Sequence, residues 1–292
     1  MKIKIRRIHW RVLIFCLLLA TILGWTSCYR KYGMTDTDIQ NYYSIRKYIP
    51  QFKLYSIENR PIHYVEIGPD SLPLLIFIHG APGAWYGYIQ LLDDKELQSK
   101  FKMISVDRPG YGKSGAGMLE FSIEKQARLL QPLLDSHKTG KPVYIIGRSF
   151  GAPVAARIAF SNQDKVKSLF LLGADIDPDK EKFWWFSGFG RWYLFRWILP
   201  QSINTATDEK FTRVKELRKM TPLWKDIHIP VILMHGENDW IVDTSNLSFA
   251  KKMLINSPNS KFIKIPGAGH LVSSERPDLL KIELFKSLNK KN

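Results

Sequence analysis

Short apolar runs recur from residue 51 onward, separated by stretches of helical character. Residues 74–78, 103–106, 143–146, 169–172, 231–234 and 262–265 are dominated by apolar side chains and bounded by turn residues. That pattern predicts strands, most of them covered on both faces. Residues 123–134, 152–160, 247–255 and 279–288 have helical spacing, with Pro132 predicting a kink or stop in the first. Residues 52–57 and 62–67 read as a hairpin around Asn59-Arg60-Pro61. Alternating strands and helices predict an α/β fold: a mostly parallel sheet with helices on both faces and the hairpin at one edge. Residues 178–227 break the rhythm, being far too long for an ordinary crossover. We read them as an inserted cap on a core formed by residues 51–177 and 228–292.

The N-terminus follows a different logic. Lys2, Lys4, Arg6, Arg7 and Arg11 precede a nearly wholly apolar stretch at residues 12–23, and no further charge appears before Arg30. Residues 1–28 therefore read as a signal peptide or an uncleaved membrane anchor, followed by a linker at 29–50. Either reading carries the rest of the chain across the membrane, because the positive cluster comes first. Trp25-Thr26-Ser27-Cys28 places small residues before a cysteine and resembles a bacterial lipoprotein box, although Trp25 departs from the usual aliphatic residue. Cys28 is the candidate lipidation site. The expected location is membrane-associated, with the folded domain outside the cytoplasm.

Composition narrows the partners. The chain has 292 residues, 45% of them hydrophobic, enough for one large core. Its net charge is +16, but five of those charges sit in the first eleven residues. No basic run interleaves with aromatics, so a nucleic-acid partner is not expected. The two cysteines are Cys16 and Cys28, which leaves the folded domain without a disulfide or a cysteine zinc site. No histidine–carboxylate spacing suggests a metal, and no cofactor is implied.

The chemistry gathers after the predicted strands. Gly147-Arg148-Ser149-Phe150-Gly151 is a G-x-S-x-G motif between a strand and a helix. Such a tight turn strains the serine and exposes its hydroxyl at a helix N-terminus, making Ser149 a candidate nucleophile. His270, in Pro266-Gly267-Ala268-Gly269-His270, is the candidate base. The orienting acid is expected after residues 231–234, where Asp239 stands; Asp175 and Asp177, one strand earlier, are the alternatives. Two backbone N–H groups must face the tetrahedral oxygen, and Phe150 and Ala81 are the candidates, the latter within His79-Gly80-Ala81-Pro82-Gly83. His79 reads as a structural prop for that loop. Gly112-Lys113-Ser114 imitates the end of a phosphate loop, but Asp107 stands where that motif needs glycine. The 107–114 stretch reads instead as a turn fixed by Asp107 and Arg108.

Together these segments resemble the α/β-hydrolase superfamily over residues 51–288. The resemblance implies a serine hydrolase with a Ser149–His270–Asp239 triad and a cap. The His-Gly-x-Pro-Gly form is also similar to proline iminopeptidases and epoxide hydrolases, but Ser149 stands where an epoxide hydrolase carries aspartate. The expected substrate is a small, apolar carboxylic ester. Residues 183–199 (FWWFSGFGRWYLFRWIL) carry two charges and four tryptophans, and Trp184 and Trp185 are candidates for contacting it. The rival enzyme is an aminopeptidase or amidase, which needs a cap carboxylate for a substrate ammonium, such as Glu181, Asp208 or Glu209. A rival of another class is a non-catalytic receptor on this fold.

Overall fold

A computed structural model describes residues 10, 12, 16, 33–183, 188, 191–192, 196–197 and 199–290. Cys28, Trp184 and Trp185 lie outside the described residues. Two compact units divide the chain, Met1–Ile49 and Pro50–Asn292. In the first, helix α1 (Asp36–Ser44) begins with a capping box. Thr35 Oγ1 accepts from Asp38 N–H at 3.1 Å, and the Asp38 carboxylate accepts from Thr35 N–H at 2.8 Å. Among the described residues no helix is long and apolar enough to cross a membrane.

The second unit is an eight-stranded sheet ordered β1-β2-β4-β3-β5-β6-β7-β8. Its strands are β1 (Gln51–Ile57), β2 (Arg60–Ile67), β3 (Leu74–Ile78), β4 (Lys102–Val106), β5 (Val143–Arg148), β6 (Val166–Leu172), β7 (Val231–Gly236) and β8 (Lys261–Ile265). Pairing is antiparallel for β1–β2 and β2–β4 and parallel for the remaining pairs. Every residue of β3, β4, β5 and β7 is buried, as their continuous apolar character requires.

The hairpin turns one residue earlier than its Asn-Arg-Pro sequence suggests. Glu58 and Asn59 both have left-handed backbones, at φ 51° and 57°, as a two-residue hairpin loop requires. Pro61 lies inside β2 opposite Ser56 and is tolerated because β4 pairs with β2 only from Tyr64 onward. Three short helical pieces that the sequence pattern did not announce join β3 to β4: Trp85–Tyr88 (3-10), α2 (Ile89–Leu92) and α3 (Lys95–Gln98). Helix α4 (Ile123–Asp135) carries Pro132 and still runs on to Asp135.

Helix α5 (Gly151–Ser161) follows β5, and α6 (Gln201–Met220) with a 3-10 turn (Thr221–Asp226) lies between β6 and β7. Helices α7 (Asn246–Met253), α8 (Val272–Glu275) and α9 (Pro277–Asn289) complete the unit. The strand order reverses direction at β3, which lies between β4 and β5. In open α/β sheets the crevice beyond such a switch point is where ligands bind. Ile78 pairs with Gly147 there, so the loops leaving β3 and β5 emerge side by side.

Candidate active site

Ser149 occupies the sharp turn from β5 into α5. Its backbone is left-handed, at φ 52°, a conformation that costs a non-glycine residue about 1–2 kcal/mol. The surroundings hold it there: Ser149 N–H donates to Leu172 O at 2.9 Å, and Ser149 O accepts from Ala152 N–H at 3.0 Å. The flanking glycines are required by contact. A Cβ on Gly147 would stand 2.6 Å from Ala155 Cβ and Gly151 O, and one on Gly151 would strike the carbonyls of Ile78 and His79.

Asp239 lies in the turn after β7, and His270 in the loop after β8. His270 Nδ1 donates to Asp239 Oδ2 at 2.7 Å. The other carboxylate oxygen accepts from Ile241 N–H and Val242 N–H, both at 2.9 Å. His235, at the end of β7, brings Nε2 to 3.1 Å from Asp239 Oδ2. Burial raises the cost of charging Asp239, but the hydrogen bonds from His235 and His270 outweigh it and hold the carboxyl well below the ordinary range. Gly173, at φ 50°, leaves room for the imidazole: a Cβ there would stand 3.2 Å from His270 Nδ1. Gly173 N–H donates to Met234 O at 2.9 Å, tying the end of β6 to β7. Ser149, Gly173, Asp239 and His270 thus line one end of four consecutive strands.

The two other acids weighed for the orienting role are engaged elsewhere. Asp175 Oδ2 accepts from Arg213 Nη1 at 2.7 Å, and Asp177 Oδ1 accepts from Asp179 N–H at 3.0 Å. Burial pushes the Asp175 carboxyl up to about 7, even though Arg213 pulls the other way.

The loop leaving β3 abuts the serine. A Cβ on Gly80 would stand 2.8 Å from Ser149 Cβ and 3.5 Å from Ser149 Oγ. Among the described residues, neither Ala81 N–H nor Phe150 N–H has a hydrogen-bond acceptor. Phe150 also caps the N-terminus of α5, where the helix dipole favours negative charge.

The chain matches the family model described as "alpha/beta hydrolase fold" over residues 73–221, just over half its length. It is an α/β hydrolase. Epoxide hydrolase 1 of Caenorhabditis elegans is 23% identical over 280 residues, covering 78% of this chain and 68% of that protein. Epoxide hydrolase 4 of Mus musculus is 30% identical over 112 residues, only 38% of this chain and 30% of that protein. Among solved structures, a putative lipase from Acinetobacter baumannii AYE superimposes with a TM-score of 0.68 at 19% identity, covering 89% of this chain and 98% of that one. A membrane phospholipase A described as a bacterial virulence factor gives 0.66 at 17% identity, covering 96% and 99%. Both structural likenesses speak to the fold.

Several residues around this candidate site carry no signal in the sequence pattern. His235 stands four residues before Asp239, and its position against that carboxylate emerges only in the fold. Arg148 is buried, donates to Ser273 Oγ at 3.2 Å and lies over the Tyr88 ring at 5.0 Å. The 107–114 turn forms as its residue types suggest. Asp107 accepts from Trp85 N–H at 2.8 Å and Lys113 N–H at 3.0 Å, and its Oδ2 lies 2.8 Å from His63 Nδ1. Glu181, Asp208 and Glu209 are all paired already, with Arg213 and Lys210, with Arg196, and with Arg108 respectively. Among the described residues no group of His, Cys, Asp and Glu is arranged to hold a metal ion. A groove of about 1270 Å³, lined by Lys138, Lys165 and Lys261 among others, opens at the N-terminal ends of β5 to β8, away from Ser149.

Proposed function

We propose that this α/β hydrolase cleaves carboxylic esters through an acyl-enzyme. His270 Nε2 takes the proton from Ser149 Oγ as the oxygen attacks the ester carbonyl. Asp239 keeps His270 in the tautomer with its proton on Nδ1 and stabilises the imidazolium that forms. Ala81 N–H and Phe150 N–H receive the oxyanion, and the protonated histidine then releases the alcohol. Water attacks the acyl group in a second round, with His270 again taking the proton.

The observation that carries this reading is the 2.7 Å bond from His270 Nδ1 to Asp239 Oδ2, with Ser149 held at the elbow on the same end of the sheet. The two relatives compared above are epoxide hydrolases, but Ser149 is chemically unsuited to that reaction. A serine oxygen opening an epoxide forms an ether, which offers water no carbonyl to attack, so the enzyme would not turn over. Ester cleavage leaves an acyl group that water removes.

An aminopeptidase reading needs a free carboxylate for a substrate ammonium, and the pairing of Glu181, Asp208 and Glu209 with arginine or lysine argues against it. Initial rates on p-nitrophenyl esters beside aminoacyl p-nitroanilides test the choice. Esters should turn over; cleavage confined to the anilides would transfer the assignment to the peptidase.

We further propose export and tethering through residues 1–28, supported by the basic cluster followed by an apolar run and Cys28. Stable attachment by lipid requires more than one acyl chain. Mass spectrometry of the mature N-terminus should find a modified Cys28; an intact Met1 would assign an uncleaved anchor.

A further inference from the structure

The peptide group joining Gly80 to Ala81 supplies one of the two proposed oxyanion donors, and its other end is gripped from below. The bond is trans, so Gly80 C=O and Ala81 N–H point in opposite directions. Gly80 O lies 2.6 Å from His79 Nδ1 and accepts from Arg108 Nη2 at 3.2 Å. The imidazole tautomer is determined, because His79 Nε2 accepts from Arg108 N–H at 2.9 Å and Nδ1 must then carry the proton. Burial, reinforced by the Arg108 charge, pushes His79 well below its usual pKa and keeps it neutral. Fixing the carbonyl end therefore fixes the direction of Ala81 N–H, away from the guanidinium.

Arg108 is itself fully committed. Its five N–H groups donate to His79 O at 2.9 Å, Gly80 O at 3.2 Å, Gln126 Oε1 at 2.8 Å and Glu209 Oε1 and Oε2 at 2.7 and 3.0 Å. Glu209 comes from helix α6, in the segment between β6 and β7, and also accepts from Tyr111 Oη at 2.8 Å and Gln126 Nε2 at 3.2 Å. Burial disfavours its charge, but Arg108 outweighs burial and holds the carboxyl below the ordinary range.

Arg213 stands one turn further along α6, on the same face as Glu209. Its guanidinium is bound to Asp175 and lies 4.6 Å over the Phe150 ring, with Arg108 5.5 Å from the same ring. Phe150 supplies the other oxyanion donor.

We infer that helix α6 sets the oxyanion hole. Glu209 aims Ala81 N–H through Arg108, and Arg213 holds Phe150 through its ring, so both are positioning residues for a reaction they do not touch. The inference rests on the ester-cleaving reading above. It also gives the inserted segment a catalytic task beyond substrate choice, because movement of α6 would disturb both donors together.

The test uses the full chain and the variants Glu209→Gln, which removes the charge, and Glu209→Asp, which keeps it on a shorter arm. Active sites are counted by fluorophosphonate titration, so unfolded protein does not enter the rates. The expected result is a fall in kcat per titrated site of about 10–100-fold with KM held, somewhat less than the about 10²–10³ lost on deleting a donor outright. Inhibition by an aryl trifluoromethyl ketone, whose adduct with Ser149 places an oxyanion in the hole, should weaken in proportion. Wild-type kcat and ketone affinity per titrated site in both variants would overturn the inference while leaving the ester reading intact. A wild-type protein that neither hydrolyses p-nitrophenyl acetate nor binds the ketone would overturn the ester reading, and this inference with it.

Discussion

Asp239 Oδ2 lies 2.7 Å from His270 Nδ1, while Asp175, the acid one strand earlier, bonds to Arg213 at the same distance. The two carboxylates are thus assigned to different work by their neighbours. Asp239→Asn should lower ester turnover on the order of 10⁴-fold by upsetting the histidine tautomer. Asp175→Asn should act mainly on stability, costing about 1–3 kcal/mol by weakening the acceptor of a buried guanidinium. Turnover and urea unfolding measured on both variants check the division. An inactive Asp175→Asn beside an active Asp239→Asn would reverse it.

Strain at the elbow gives a comparison between two inactive proteins. Ser149→Ala keeps a side chain at φ 52°, whereas Ser149→Gly relieves the left-handed penalty and gives some of it back in unfolded-chain entropy. The glycine variant should unfold about 0.5–1 kcal/mol later than the alanine variant. A glycine variant less stable than the alanine variant by about 0.5–1 kcal/mol, the unfolded-chain entropy alone, would mean that the turn stores no strain.

His79 makes a pH prediction whose sign follows from its depressed pKa. In the unfolded chain the imidazole takes up a proton below about 6.5. In the folded protein it stays neutral far lower, so the unfolded state binds more protons and stability falls as pH drops from about 6.5. Urea unfolding at a series of pH values should show this decline, and His79→Gln should flatten it between pH 6.5 and 5. An unchanged slope would show that His79 titrates normally.

Much of this was legible in the residues. Apolar runs revealed the strands because a sheet covered on both faces has no room for polar alternation. Ser149, Asp239 and His270, the residues of the proposed triad, stand out in the sequence because each follows such a run. The buried charge system was not legible. Arg108 and Glu209 are about a hundred positions apart, and each looks like an ordinary charge until the fold brings them together. In the sequence Glu209 reads as a free carboxylate available to a substrate, a role its four hydrogen bonds leave no capacity for. The hairpin turn was misplaced by one residue because Pro61 reads as a turn former, yet edge pairing on one side lets it sit in a strand.

Trp184 and Trp185 give a prediction from sequence alone. So many large rings in one short insert exceed what a single buried stripe accommodates. If these two meet the acyl end of the substrate, replacing both by Ala should lower activity on long-chain esters more than on acetate esters. Equal losses, together with a lower melting temperature, would assign them to packing instead.

The most direct measurement for the central claim is covalent labelling of the full chain with a fluorophosphonate, read by peptide mass spectrometry. The expected result is one adduct, on the peptide containing Ser149, abolished by Ser149→Ala and strongly slowed by Asp239→Asn. No adduct at Ser149, or equal labelling of the Ser149→Ala variant, would contradict the assignment of this serine as the nucleophile.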